Sequence, residues 1–510
     1  MQSTVTQTLI KLLTRKNLSR LLGLYIAWIL LKYRRTALGT THRKDLPGPR
    51  GWPLLGNLVS IITVPLTQIG EYNMSMHEKY GKVYSFTVPF KGRMIHINDV
   101  EILDHVLRTN FWAYEKGPML QQTLADLLGR GIFSADGAHW KWQRKMASNI
   151  FNVRAFRDYT SNVFTHEAKI VIEYFNKMAD EGKVVDMQEI FYKFTLDSFG
   201  EVSFGQSFGC LLHPEREVEF AAAFDRLNTI VFDRVIRADW KIREAVLGLQ
   251  KQVQHDKAII TDFAYNVIRE RRQQGYHKQH RDLLQLCMDY TDDQGQPLSD
   301  EMLKDMVLNF IIAGRDTTAQ ALTWMFWSMH ARATKDAAEI QAKMRHEIDS
   351  VLQNEDPTYE TTKKMKYAEA CMYEALRLYP SVPRNIKECV QDDVWPDGTK
   401  VEKGTFVLWS PWIMGRTTAI WGQDATEYRP ERWVESASKP SPAQFPAFHV
   451  GPRICLGQQF ATIEGITLAS MLFAHFEFEL VDPERKPGYV PGLTMPMDGG
   501  LPVRIKRRQK

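Results

Sequence analysis

Apolar and polar residues recur along most of the chain at the three-to-four-residue spacing of amphipathic helices, and only short stretches break that rhythm. From 163 to about 272, charged residues fall between apolar ones at helical intervals. A second long pattern opens at Ser299, a residue suited to capping a helix, with Asp300 and Glu301 in the first turn where the helix dipole favours acids. Its apolar spacing runs from Met302 to about Arg332, which predicts a helix of roughly 45–50 Å that crosses the whole globule. Further helices are predicted over 335–352, 363–379 and 457–473. Runs of period two at 83–88 and 94–97 predict strands, and a strand-rich stretch with turn signals such as Pro396-Asp-Gly precedes the last helix. The polar segment 275–296 reads as a loop. The expected fold class is mainly α with small β-sheets.

The N-terminus has a different pattern. Leu21 to Leu31 carries no charge, and Lys32, Arg34 and Arg35 close it. As a helix this run rises only about 16 Å, half of a hydrocarbon core of ~30 Å. Extending it back to Leu9 supplies the length but takes in Lys11, Arg15, Lys16 and Arg20, whose stems can snorkel toward headgroups. Residues 1–45 are therefore expected to form a membrane anchor, either a short tilted transmembrane helix or an interfacial one. A basic cluster follows the apolar run where a cleaved signal peptide would have small residues. Basic residues on both sides leave orientation open. Residues 46–56, beginning Leu46-Pro-Gly-Pro-Arg-Gly-Trp-Pro, forbid a helix and read as a hinge to the body, 57–510.

Composition narrows the classes. The 510 residues hold 65 Lys+Arg against 60 Asp+Glu, a net +5 too small to imply a nucleic-acid partner. Five scattered cysteines without a CxxC pair exclude a disulfide framework and a zinc ribbon and indicate a reducing compartment. The sequons at Asn17 and Asn73 are accordingly expected to stay unused. There is no Walker loop, no GxGxxG segment and no internal repeat.

Candidate chemistry concentrates in Phe448-His-Val-Gly451-Pro-Arg453-Ile-Cys455-Leu-Gly457, just before the last predicted helix. Glycine and proline hold an open loop, Arg453 supplies positive charge, and a helix N-terminus favours a cysteine anion. Such a thiolate is either a nucleophile or a soft metal ligand. Cys210, Cys287, Cys371 and Cys389 read as small buried hydrophobes. The segment resembles the haem-binding loop of the cytochrome P450 superfamily, FxxGxRxCxG. The resemblance implies haem b with Cys455 as the axial ligand of its iron, with Phe448 and Arg453 in the cofactor-binding loop.

Other segments are similar to further motifs of that family, in the expected order. Glu374-Ala-Leu-Arg377 matches ExxR, and Pro430-Glu-Arg432-Trp resembles the PERF segment with Trp433 for the usual Phe. By resemblance Glu374, Arg377 and Arg432 form a buried network behind the cysteine loop, and a second Pro-Glu-Arg at Pro483 is a decoy. Ala313-Gly314-Arg-Asp316-Thr317-Thr318, inside the long helix, resembles the oxygen-activation segment, although Arg315 puts a charge within it. Gly314 is expected to let the cofactor approach. Thr317 is expected to order water at oxygen and Asp316 to relay protons, since two protons must reach one oxygen before its bond breaks. Trp140-Lys-Trp-Gln-Arg144 resembles the WxxxR segment that meets a haem propionate, and Arg384 and Arg453 are further propionate candidates. Lys141 and Lys145 are candidates to face an acidic redox partner.

The resemblance implies a long central helix over the haem and a monooxygenase that inserts one atom of O₂ into a C–H bond. By the same resemblance, electrons are expected from NADPH through a separate reductase; the sequence itself has no flavin or nicotinamide motif. The expected setting is the endoplasmic reticulum membrane, with the catalytic domain facing the cytosol. The oxygen segment and cysteine loop look most like those of the fungal alkane and fatty-acid ω-hydroxylases. A steroid, terpenoid or xenobiotic substrate is the alternative. More distant ones are a hydroperoxide isomerase or dehydratase and a non-catalytic haem or lipid carrier. Candidate pocket positions are Phe133, Phe310, Ala313, Val382 and Thr494. A fatty-acid substrate calls for a carboxylate anchor at the pocket mouth, and no basic residue is assignable to it from the sequence.

Overall fold

The computed structural model describes residues 15–40, 45–151, 154–274, 282–291, 295–436 and 438–509. Its axis is the long helix read from the apolar spacing. The Ser299 hydroxyl accepts the Met302 N–H at 3.3 Å and opens helix Asp300–Ile311. A π turn, Ile312–Asp316, interrupts the ladder before Thr317–His330 completes the helix. This central helix is apolar on nearly every face, so it has to be enclosed. Helices Met187–Phe204, Lys366–Leu378 and Gln458–His475 pack around its second half. Trp324 is fully buried there and stacks on Tyr379 at 4.2 Å, while Phe326 meets Phe191 and Phe473, each at 5.2 Å. Burial of each such aromatic ring contributes roughly 1.5–3 kcal/mol.

The sheets are small and sit at the margins. The largest has five strands in the order Val83–Val88, Gly92–Ile97, Phe406–Trp409, Asn385–Cys389, Tyr114–Glu115. Only the Gly92–Ile97 and Phe406–Trp409 pair is parallel. A second sheet places Pro502–Arg507 between Val184–Asp186 and Phe476–Leu480.

Three expectations need comment. The polar stretch expected to be a loop contains a helix, Leu283–Met288, capped by Asp282, whose carboxylate accepts the Gln285 N–H at 2.8 Å and pairs with Arg271. The rest of that stretch lies largely outside the described residues. In the segment 46–56, Pro47 accepts the Ser85 N–H at 2.8 Å, and Trp52 and Gly56 exchange backbone hydrogen bonds of 2.7 and 2.8 Å. At the N-terminus, residues 1–14 lie outside the described residues, and among those described no helix is long and apolar enough to cross a membrane. The helix is Arg15–Lys32, and its sequence carries Arg15, Lys16 and Arg20 before the apolar run, which shortens the uncharged part. The longer span expected from Leu9 reaches into residues 1–14, outside the described residues. That helix nevertheless presents Leu21, Leu22, Leu24, Tyr25, Trp28 and Leu31 on its exterior.

Candidate active site

After the five-stranded sheet is complete, the polypeptide returns to the middle of the molecule as two single 3₁₀ turns, Pro446–Phe448 and Gly451–Arg453, before helix Gln458–His475. The Cys455 N–H donates to the Phe448 carbonyl at 2.8 Å, closing the loop. Gly451 adopts φ +67°, and a Cβ there would lie 2.0 Å from the Leu107 carbonyl oxygen, so the loop needs glycine. Cys455 is surrounded by protein, yet its side chain opens onto an internal cavity of about 450 Å³. Burial pushes its thiol up, against the opposing pull of the Gly457 backbone N–H and Arg144.

Behind the loop, Glu374 and Arg377 pair through two bonds of 2.8 and 2.7 Å with no exposure of either side chain. Arg377 also donates to the carbonyls of Gly415, Ala425 and Glu427. Arg432 reaches the same carboxylate at 2.9 Å. Trp433 gives its indole N–H to Glu374 Oε2, also at 2.9 Å, which phenylalanine at that position cannot do. Aromatic rings carry this network to the loop: Trp433 lies on Phe445 at 4.8 Å, and Tyr373 on Phe448 at 5.9 Å. The second Pro-Glu-Arg stands apart, with Glu484 in an exposed pair with Arg332.

One wall of the cavity belongs to the central helix. Ala313, Gly314 and Thr317 line it, as do the other pocket candidates Phe133, Phe310, Val382 and Thr494. The Thr317 hydroxyl donates to the Ala313 carbonyl at 2.6 Å, across the π turn. Gly314 touches the cavity through backbone, but the place of its Cβ is taken by the Phe199 ring, 2.1 Å away. Packing against helix Met187–Phe204 thus demands that glycine. Asp316 points elsewhere. It pairs with Arg315 at 2.9 Å and accepts from Thr494 at 3.3 Å, and Arg315 continues to the half-exposed Asp225 through bonds of 2.7 and 3.0 Å. Burial raises the Asp316 carboxyl to about 7 although Arg315 pulls it down. Thr494 connects this acid to the cavity. Asp225 had no sequence signal.

The opposite edge is basic. Trp140 and Arg144, one turn apart on helix Gly137–Phe151, face the cavity, and the Arg453 guanidinium lies 4.5 Å over the Trp140 ring. Arg453 pairs with Asp136 at 2.9 Å, but its Nε is buried without a partner, as is Nε2 of His449. Among the described residues Arg144 has no acid partner. Lys116 and Lys387, which carried no motif, join this group: Lys387 is buried and Lys116 partly so, and each has its ammonium lowered by burial and the charge of Arg453, Lys116 to about 8. Arg384 lines the same cavity, donating to the Tyr489 hydroxyl at 2.6 Å and stacking on Phe232 and Tyr489, each at 5.3 Å.

A cysteine open to an apolar cavity, backed by a Glu–Arg–Arg network and edged by surplus cations, makes a site suited to an anionic group that sulfur can ligate. The cytochrome P450 family profile matches residues 46–500, and the chain belongs to that family. It is similar to the cytochrome P450 monooxygenase cyp1 of Mycosarcoma maydis, 37% identical over 96% of this chain and 80% of the relative. Cytochrome P450 86B1 of Arabidopsis thaliana is 33% identical over 92% of the chain and 88% of its own length. For cytochrome P450 94C1 of the same plant the figures are 34%, 80% and 83%. Members are oxidoreductases that use haem with a cysteine thiolate ligand and depend on a reductase for electrons. The residues fit that group. Two carboxylates would satisfy the orphan Arg453 Nε and offset the charge of Arg144, Lys116 and Lys387. Bound there, haem supplies reductive O₂ activation, one atom entering a substrate C–H bond and the other leaving as water.

Proposed function

We propose that this chain is a membrane-associated haem-thiolate monooxygenase that hydroxylates a long aliphatic molecule, a fatty acid or alkane, at or near its terminal carbon. Cys455 would hold the haem iron, Trp140, Arg144 and Arg453 would bind its propionates together with Lys116 and Lys387, and Phe448 supports the cysteine loop. Thr317 positions a proton at oxygen and Asp316, hydrogen-bonded to Thr494 at the cavity wall, relays it, while Arg315, paired with Asp225, holds Asp316 in place. One observation carries the substrate reading. The cavity that Cys455 and Arg384 both line is walled largely by hydrocarbon, Leu120, Leu124, Ile132, Phe133, Phe310, Ile386 and Leu408 among it, which suits a flexible apolar substrate.

The N-terminal helix, apolar on its exterior and basic at its ends, docks on the endoplasmic reticulum membrane, and residues 46–56 join it to a catalytic body facing the cytosol, 57–510. The exposed Lys141 and Lys145 meet the acidic face of the NADPH reductase. The test is a panel of fatty acids, alkanes and steroids, scored by low-to-high spin shift and then by product position with reductase. Terminal or near-terminal alcohols from the aliphatic members are expected. Spin shifts and products from steroids alone would overturn the reading.

A further inference from the structure

We infer that Arg384 is the carboxylate anchor of the substrate cavity, so that the substrate is taken as a long-chain acid held by its head with its tail toward Cys455. This rests on the aliphatic reading above and sharpens it. Five other cations line the cavity or its edge, and each is accounted for. Arg144, Arg453, Lys116 and Lys387 belong to the basic edge beside Trp140. Lys91 is spent on the carbonyls of Val235 and Ile236, where it caps the C-terminal end of helix Glu219–Ile236.

Arg384 differs. Among the described residues it forms no ion pair, and of its five N–H donors one is engaged, to the Tyr489 hydroxyl. Its charged and titratable neighbours are Glu71 and His96, not the residues beside Cys455. Phe232 and Tyr489 hold the guanidinium plane from their ring faces, so it is oriented before any ligand arrives. A guanidinium with uncommitted donors at a cavity wall matches the planar fork of a carboxylate. The hydrocarbon lining of the cavity that Arg384 and Cys455 share is what the rest of such a molecule would contact.

The experiment titrates the haem-loaded protein with a long-chain fatty acid and with its methyl ester, reading Kd from the spin shift, for wild type, Arg384→Met and Arg384→Lys. Wild type is expected to prefer the acid. Arg384→Met should weaken the acid by about tenfold or more, the scale of one lost charge-assisted hydrogen bond, and leave the ester within about twofold. Arg384→Lys should regain part of the loss. Because the ester reports on folding and on the apolar wall, equal weakening of both ligands in Arg384→Met overturns the assignment, as does an unmoved acid. If wild type binds acid and ester alike, the anchor is refuted and the aliphatic reading stands. If wild type responds to neither, the aliphatic reading falls and takes the anchor with it.

Discussion

Replacing Glu374 with Gln tests whether the network behind the cysteine loop holds the fold together. The carboxylate is fully buried and accepts five hydrogen bonds: Arg377 Nε at 2.8 Å, its second donor at 2.7 Å, and Arg432 Nε, the Arg429 N–H and the Trp433 indole at 2.9 Å each. Glutamine keeps the shape but turns one acceptor oxygen into a donor, which then faces at least two N–H groups. It also leaves Arg377, wholly buried, without its counter-charge. Removing one partner of a buried pair costs about 3–5 kcal/mol, so the folded-to-unfolded ratio should fall by about two to four orders of magnitude. Trp433→Phe is the scale bar. It deletes one donor and leaves Oε2 bonded to Arg377, so about 1–2 kcal/mol is expected. Urea unfolding of the haem-loaded protein, followed by circular dichroism and haem absorbance together, measures both. A Glu374→Gln variant within about 1 kcal/mol of wild type, or no weaker than Trp433→Phe, would refute the reasoning.

Gly451→Ala should cost at least about 1–2 kcal/mol from the left-handed backbone alone, with the Leu107 carbonyl adding a clash, and should lower the fraction of protein giving a ferrous carbonyl thiolate spectrum. Thr317→Ala should keep that spectrum and continue to consume NADPH while product per NADPH drops severalfold; unchanged coupling would remove Thr317 from proton delivery. Glu464, wholly buried and bonded to Ser198, has its carboxyl raised to about 8 by burial. Its folded pKa exceeds the ordinary 4.5, so between about pH 4.5 and 8 the folded state binds the extra proton and stability declines as pH rises. Glu464→Gln should therefore gain on wild type across that window in urea titrations at stepped pH. A constant difference between the two would contradict a raised carboxyl.

What is legible in the sequence is whatever is written locally. Ser299 and two acids announce a helix start within three residues, and the cysteine loop holds its donors within ten, so neither needs the rest of the fold. Lys116 and Lys387 cannot be found that way. They come together because Tyr114 pairs with Cys389 and Glu115 with Glu388, an antiparallel register that sets distant parts of the sequence side by side. Arg384, three residues before Lys387 on the same segment, falls among the propionate candidates by its place after Tyr379-Pro380, and its contacts with Tyr489 and Phe232 carry no local sequence signal. Leu283–Met288 is hidden for the opposite reason, a short helix inside a polar stretch, stabilised by its cap and by Arg271. The glycine of the oxygen segment suggests a role on the cofactor side, whereas Phe199 fills the place of its Cβ.

The π turn at Ile312–Asp316 makes the central helix two helices spliced out of phase. Such a turn holds about one residue more than the regular winding around it, so the half from Thr317 to His330 is rotated by about 100° from where an unbroken helix would put it. Deleting a single residue there would give a smoother rod and turn every later side chain to the wrong compass bearing, Thr317 and the Trp324 core contact alike. The irregularity works as a phase setting for half the interior, and shortening this stretch should be harder to tolerate than most point changes within it.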